Sequence, residues 1–374
     1  QSMNLKSGGD MEDSSDAAER EALLPPDEAG QGKPTTAVYV FGGFLIVIVI
    51  AALACQQEVM QSAESKGSVD KPSLTIWWNH TCLLLVGLPL GLLLQLFREG
   101  SLSPLRLWRR LLQQQRWTAQ RALWLGTVLA VIFYLPNLAW AVTLKSIWVP
   151  LVTAASRFDA VFVLLFSSLL AQKAPPAKQV LAVLACITGV VLISFGGARS
   201  DSFGTTDRWS YFEVFISPCL SALYAMIFNN LARGVSQDAS CLCALLALIG
   251  FCNTVLLWPV VPICHLAGWE DQRLPSIFSG NALRSIVLNA ALATIGNFSQ
   301  MPATALTSPL FVSLGMLLIM PVTVLIDWLV MHHTELNTAL ICGSLAICCG
   351  SGYSVLTEAS EAGPSIEKKT IPTT

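Results

Sequence analysis

Long uncharged apolar runs alternate with short polar breaks along nearly the whole chain. The runs cover Ala37 to Cys55, Pro72 to Phe97, Ala122 to Leu144, Gln179 to Ala198, Ala239 to Trp269 and Leu336 to Thr357. A helix needs about 20 apolar residues to cross a bilayer core, and these runs reach that length repeatedly. Dividing them at the polar breaks predicts about ten helices, over residues 36–55, 73–97, 122–144, 147–171, 179–197, 212–232, 241–266, 283–303, 308–330 and 337–357. From Ser285 to Ile326 no charge occurs. There "MPATALTSP", with Pro302 and Pro309, marks the break, because proline pairs interrupt helices.

Two of these stretches look alike. Residues 149–194 and 308–355 both open with a Pro-Leu helix, pass a polar turn and enter a small-residue helix containing Gly. They begin about 160 residues apart, with five helices between the starts. An odd number reverses direction, so the halves are expected to be inverted repeats, an architecture of secondary transporters. The fold class expected is all-α: a polytopic membrane protein of about ten transmembrane helices, arranged as two inverted five-helix repeats over 36–198 and 199–357.

Basic residues set the direction. The stretch 98–121 carries Arg98, Arg106, Arg109, Arg110, Arg116 and Arg121. With the N-terminus cytoplasmic, that side holds roughly 14 basic residues against about 7 opposite, as the positive-inside rule requires. An even span count then places both termini in the cytoplasm. Residues 1–35 and 358–374 are rich in Gly, Pro, Ser, Glu and Lys and are expected to be disordered cytoplasmic tails. The polar stretch ahead of the first run lacks a basic start, so that run is not read as a cleavable leader.

Composition agrees. Hydrophobic residues make up 53% and charged residues 12%, against about 25% charged in a soluble domain. The formal net charge of −2 gives no electrostatic footprint for nucleic acid. The eleven cysteines fall mostly in apolar runs and form no Cys-x-x-Cys pair, so they read as small buried hydrophobes. No phosphate-binding loop, metal-ligand helix or nucleophile elbow is present. An enzyme is therefore not expected, and neither a cofactor nor a metal is called for. His332-His333 brings too few ligands. Asn79-His-Thr and Asn297-Phe-Ser match the glycosylation sequon but lie in or against apolar runs.

Arg157 and Asp159 stand out, because each is an ionised group deep in an apolar run. Insertion scales charge about 2.5–3.5 kcal/mol for such a residue at a helix centre, and those that occur face a bundle interior or a wet cavity. At i and i+2 on a regular helix the two point about 200° apart. Either the helix is locally irregular or each has its own partner. One reading puts them in a substrate cavity, with Arg157 holding a phosphate or carboxylate. Asp159 would hold a cation or couple a proton. The other reading is an interhelical lock. Softer candidates for the cavity are Asn79, Tyr134, Asn137, Asn289, Asn297 and Gln300, each of which could instead make an interhelical hydrogen bond.

Two stretches carry a family resemblance. "DKPSLTIWWNHT" (70–81) resembles the second-helix opening of solute carrier family 35, subfamily F, within the drug/metabolite transporter superfamily and related to fungal thiamine-repressible membrane proteins. "LNAALATIGNFSQMPATALTSPLFVSLGMLLIMPVTVLID" (288–327) resembles that group's eighth and ninth helices, at Asn289, Thr307, Ser308, Pro321 and Asp327. The resemblance implies the ten-helix transporter fold but no particular substrate. Arg157 and Asp159 fall where the group is expected to carry small and hydroxylated residues.

These observations lead to a secondary active transporter of a small organic solute or metabolite. It would work by alternating access around a midplane cavity between the repeats, and with no ATP-binding motif it would run on exchange or an ion gradient. Two alternatives stay open: a Golgi nucleotide-sugar antiporter, and a non-transporting scaffold or receptor with a transporter-like fold. The expected partners are a small-molecule solute, the lipid bilayer and a sorting adaptor. The adaptor would read the acidic dileucine pattern Glu19, Leu23, Leu24 in "EREALL". That pattern points to an endosomal, lysosomal or vacuolar membrane.

Overall fold

The computed structural model describes residues 36–65, 71–143, 156–196, 208–268, 280–326, 328–329 and 337–361. The sorting pattern, residues 1–35 and 362–374 and Asp327 lie outside the described residues, while 358–361, expected in the disordered C-terminal tail, are helical because the last helix runs on through them to Glu361. No strand occurs among the described residues. Apolar side chains in runs too long for strands leave the helix as the one way to satisfy every main-chain polar group in lipid.

The helices in chain order are α1 (Thr36–Ser65), α2 (Pro72–Glu99), α3 (Pro104–Gln115), α4 (Ala119–Thr143), α5 (Asp159–Ala171), α6 (Ala177–Gly196) and α7 (Arg208–Ala232). Then follow α8 (Ala239–Leu256), α9 (Val260–Leu266), α10 (Gly280–Leu306), α11 (Pro309–Met316), α12 (Ile319–Ile326) and α13 (Thr338–Glu361). Among the described residues seven stretches are long and apolar enough to span a bilayer: Ala37–Gln57, Pro72–Glu99, Ala119–Ala141, Ala177–Ser194, Ala239–Leu256, Pro309–Ile326 and Thr338–Thr357. The protein is thus an all-helical, multi-pass membrane protein.

The structure departs from the sequence expectation at several places. The expected helix 241–266 is two, α8 and α9, parted at Leu257–Pro259, because Pro259 has no N–H to continue the ladder. The expected helix 308–330 breaks at Leu317–Leu318, whose N–H groups turn back to Leu314 and Gly315 carbonyls. Expected segments 212–232 and 283–303 are helical as parts of α7 and α10 but are not among the seven apolar spans. In α10 the side chains of Asn289, Asn297, Ser299 and Gln300 dilute the hydropathy. Of expected helix 147–171, the described part is Ser156, a turn at Arg157–Phe158, and α5.

The stretch 98–121, expected as a loop, contains α3. Its start is set by Ser103, whose hydroxyl accepts from the Arg106 N–H, and by Pro104 at the first helical position. Leu107 and Leu111, one helical turn apart, are fully buried, while Arg106 and Arg109 are exposed. At 12 residues α3 is too short to cross a bilayer; it packs on α8 and α2.

Three large apolar clusters join the helices. One gathers Leu83, Leu107, Leu129, Phe228, Leu246 and Ile249. A second joins Val163, Val183, Val190, Leu314 and Ile347, and a third joins Ile46, Val49, Phe311 and Ile319. The broadest contacts are α6 on α13, α2 on α8, α1 on α10 and α4 on α7. Helix α6 meets α13 at paired glycines. A Cβ on Gly189 would lie 2.5 Å from the Gly343 carbonyl oxygen, and one on Gly343 would lie 2.7 Å from that of Gly189. Main chains this close are typical where helices associate in lipid through small residues. Helix α8 is the most enclosed; its side chains from Ser240 to Gly250 are all buried. Outward-facing Phe44, Val47, Trp124, Leu170 and Leu345 are exposed, as a lipid-facing surface requires.

Candidate functional site

A cavity of about 220 Å³ lies among α1, α2, α4, α5, α7, α10 and α11. Asn79 and His80 reach it from the first turns of α2, where Pro72 at the first helical position opens the helix. Asn137 comes from α4 beside Pro136, and Asn297 and Gln300 from α10. Arg157 comes from the turn ahead of α5 and Asp159 from that helix's first residue. Of the eight residues singled out in the sequence, six line this one cavity: Asn79, Asn137, Arg157, Asp159, Asn297 and Gln300.

The other two stand behind the wall. Tyr134 is buried and donates its hydroxyl to the Ser73 carbonyl at 3.2 Å. Asn289, also buried, donates its amide to Asn79 Oδ1 at 3.1 Å and so fixes which way the Asn79 side chain points. Asn137 bonds its own helix, donating to the Phe133 carbonyl at 2.6 Å.

Arg157 and Asp159 do not sit side by side on a regular helix. A turn at Arg157–Phe158 separates them, and Phe158 caps α5 with no side-chain hydrogen bond. Each charge feels the other, and the Ser313 hydroxyl of α11 meets the Asp159 carboxylate. Arg157 Nε and Asp159 Oδ1 are nevertheless enclosed without a hydrogen-bond partner. The three ion pairs found among the described residues lie elsewhere. They join Arg98 to Asp238 at 3.3 Å, Arg110 to Asp238 at 2.6 Å, and Arg110 to Glu99. Glu99 ends α2, whereas the cavity takes residues from that helix's start. At 1.5 Å per residue the two sites are about 30 Å apart along α2.

Aromatic rings form a column on the cavity wall. His80 stacks on Phe133 at 4.2 Å, Phe133 on Tyr224 at 4.6 Å, and Tyr224 on Phe228 at 5.8 Å. All four line the cavity. Sequence reasoning passed over Ser217, Ser221, Tyr224 and Ser313 as liners. Serines give little signal in an apolar run because they can bond main-chain carbonyls: Ser217 donates to the Pro136 carbonyl at 2.9 Å. The readable sign was Pro136 itself, a proline inside a helix. Among the described residues no group of three His, Cys, Asp or Glu is placed to hold a metal.

Comparison with known proteins adds to this. No family model matches. An uncharacterized transporter of Schizosaccharomyces pombe is 29% identical over 182 residues, covering 46% of this chain and 50% of that protein. Solute carrier family 35 member F5 of Macaca fascicularis is 24% identical over 223 residues, covering 58% and 49%. An uncharacterized vacuolar membrane protein of Saccharomyces cerevisiae is 22% identical over 279 residues, covering 70% of each. The chain spans about half the length of the first two. A crystal structure superposes with a TM-score of 0.57 at 15% identity, covering 88% of this chain and 100% of that one, and so shares the fold. Fold and relatives together define a multi-pass membrane protein similar to proteins named as transporters. More narrowly, its similarity runs to solute carrier family 35 and to proteins named as transporters, at modest identity.

Proposed function

We propose that the chain is a secondary transporter that moves a small organic solute by alternating access, with the cavity as its solute site. The observation that carries this is the cavity lined by Arg157 and Asp159 together with the amides of Asn79, Asn137, Asn297 and Gln300. Charged groups in an apolar bundle are costly, and this placement puts them where a solute rather than lipid would meet them.

The packing supports two inverted halves. Matching α1 to α7, α2 to α8, α4 to α10, α5 to α11–α12 and α6 to α13 turns the contacts into pairs. Helix α1 lies on α10 as α7 lies on α4; α8 touches α4 as α2 touches α10; and α2–α8 and α6–α13 are self-pairs. A turn at Arg157–Phe158 precedes α5 as one at Leu317–Leu318 precedes α12. Discontinuous helices at a central site are a mark of such transporters. Under this reading both termini and the stretch 98–121 face the cytoplasm. The dileucine pattern and the vacuolar relative favour an endomembrane.

The test is uptake into liposomes containing the full chain, screened with labelled metabolites with and without a pH gradient. Uptake or counterflow that Arg157→Ala and Asp159→Ala abolish at equal protein level is the expected result. Unchanged transport in both variants would sink the site, and no transport of any solute would favour the scaffold reading.

A further inference from the structure

We infer that the cavity takes a zwitterion of about amino-acid size, its anionic end toward Arg157 and its cationic end toward Asp159. The inference rests on the transport reading for its purpose, but it can be tested by binding alone.

Charge balance comes first. Among the described residues Arg157 and Asp159 are the one full cation and the one full anion on the cavity wall; the other polar liners described are amides, hydroxyls and the stacked His80 ring. The wall therefore sums to neutral. A solute with one negative charge would draw on Arg157 and leave Asp159 with an excess charge in a low-dielectric site, and a cation would do the reverse. A dipolar solute satisfies both groups and leaves the total unchanged.

The local geometry is that of an incomplete pair. In a structural lock the hydrogen bonds of both groups would be met within the protein. Here Arg157 Nε and Asp159 Oδ1 have no partner, and the two residues form no ion pair with each other within 4 Å. At the start of α5 the main-chain N–H groups of Asp159 and Ala160 turn to the Asp159 carboxylate, and Phe158 supplies no capping side chain. The Arg157 guanidinium is thus the group left to take a carboxylate. The Asp159 carboxylate, steadied by Ser313, takes an ammonium.

Size narrows the class. Clefts for drug-sized ligands run to roughly 300–1,000 Å³, and this cavity has about 220 Å³. A nucleotide sugar, with a net-negative diphosphate, a base and a sugar, fits neither the volume nor the neutral wall. The edges of Phe133, Tyr224 and Phe228 give a short carbon skeleton an apolar surface.

The experiment uses the full chain, purified in detergent for thermal shift and placed in liposomes for counterflow. The probes are the twenty protein amino acids and glycine betaine. Each amino acid that binds is compared with its deamino acid and its decarboxylated amine. At least one zwitterion should raise the melting temperature and compete for counterflow. Its acid and amine analogues should bind about ten- to a hundred-fold more weakly, the worth of one charged hydrogen-bond set. Asp159→Asn, close to isosteric, should reduce that preference by removing the ammonium partner while the carboxylate analogue still binds; a monodisperse gel-filtration peak verifies its fold. An analogue with one charge binding as tightly as its parent overturns the inference, and so does failure of all zwitterions to bind. Zwitterion binding without counterflow would count against transport and leave the site standing. Counterflow of a singly charged solute with no zwitterion binding would do the opposite.

Discussion

Asp238 does at one end of the bundle what Arg157 and Asp159 do not do in the cavity: it completes its partnerships. It caps α8 through the Ser240 N–H, accepts from the Ser240 hydroxyl at 2.7 Å and from Gln114 at 3.0 Å, and pairs with Arg110 and Arg98. Burial pushes its carboxyl up, but the hydrogen bonds from Ser240 and Gln114 and the two guanidinium charges together outweigh this, so it titrates below the ordinary carboxylate value. A depressed value means that the ionised form stabilises the fold above the unfolded group's pKa of about 3.9. That contribution fades as pH falls through the lower folded value. Wild type should therefore melt earlier as pH drops below about 4. Asp238→Asn should melt earlier at pH 7 by an amount on the order of 1–3 kcal/mol and show a flatter pH dependence, both read by thermal shift. Behind the cavity, Asn289→Ala should cost only about 0.6 kcal/mol, the average for a hydrogen bond between membrane helices. It should nonetheless weaken solute binding, because Asn79 loses the donor that orients it. At this scale the sequence exposed polar groups by contrast with apolar neighbours. Asn79, Arg157 and Gln300 were visible that way. Asp238 was not, since an aspartate between helices looks like any loop residue until Arg98, Arg110 and Gln114 are folded onto it.

Helix lengths were legible because lipid imposes one length on every crossing segment, as α2 and α13 illustrate. Breaks were less so. Pro259 announces the gap between α8 and α9, but the turn at Leu317–Leu318 has only leucines at its centre; its breaker, Pro321, stands four residues on, where it has no N–H to give the Leu317 carbonyl. Helix α3 was missed because its apolar residues Leu107 and Leu111 are spaced among arginines, so no apolar run signals it. The α6–α13 contact yields a prediction for elements. Gly343→Val would push a side chain into the Gly189 carbonyl and Ile193. Overpacking of this kind costs about 1–3 kcal/mol, and the variant should melt earlier while Gly352→Val, which has open space around its Cβ, should not.

For the molecule as a whole, the ion-pair network ties the end of α2 and the start of α8 to one face. Cysteines introduced at Ser101 and Ser236 should therefore react with an impermeant maleimide from the same side of sealed vesicles, the cytoplasmic side under the proposed topology. Labelling from opposite sides would overturn both that topology and the inverted halves. In sequence the proposed two-halves plan rests only on a faint likeness between 149–194 and 308–355. In the structure the proposal draws instead on packing partners, which can persist after side chains diverge: α1 rests on α10, and α7 on α4.

One consequence follows from the enclosure of α8. Cys241, Cys243 and Cys252 are buried, while Cys55, Cys342, Cys348 and Cys349 are exposed. Quenching the outer thiols with a silent reagent leaves a dark inner set that a fluorogenic maleimide reaches only when the bundle comes apart. The protein thus carries its own melting indicator, and every ligand screen described above can be run on the native sequence without a fused reporter.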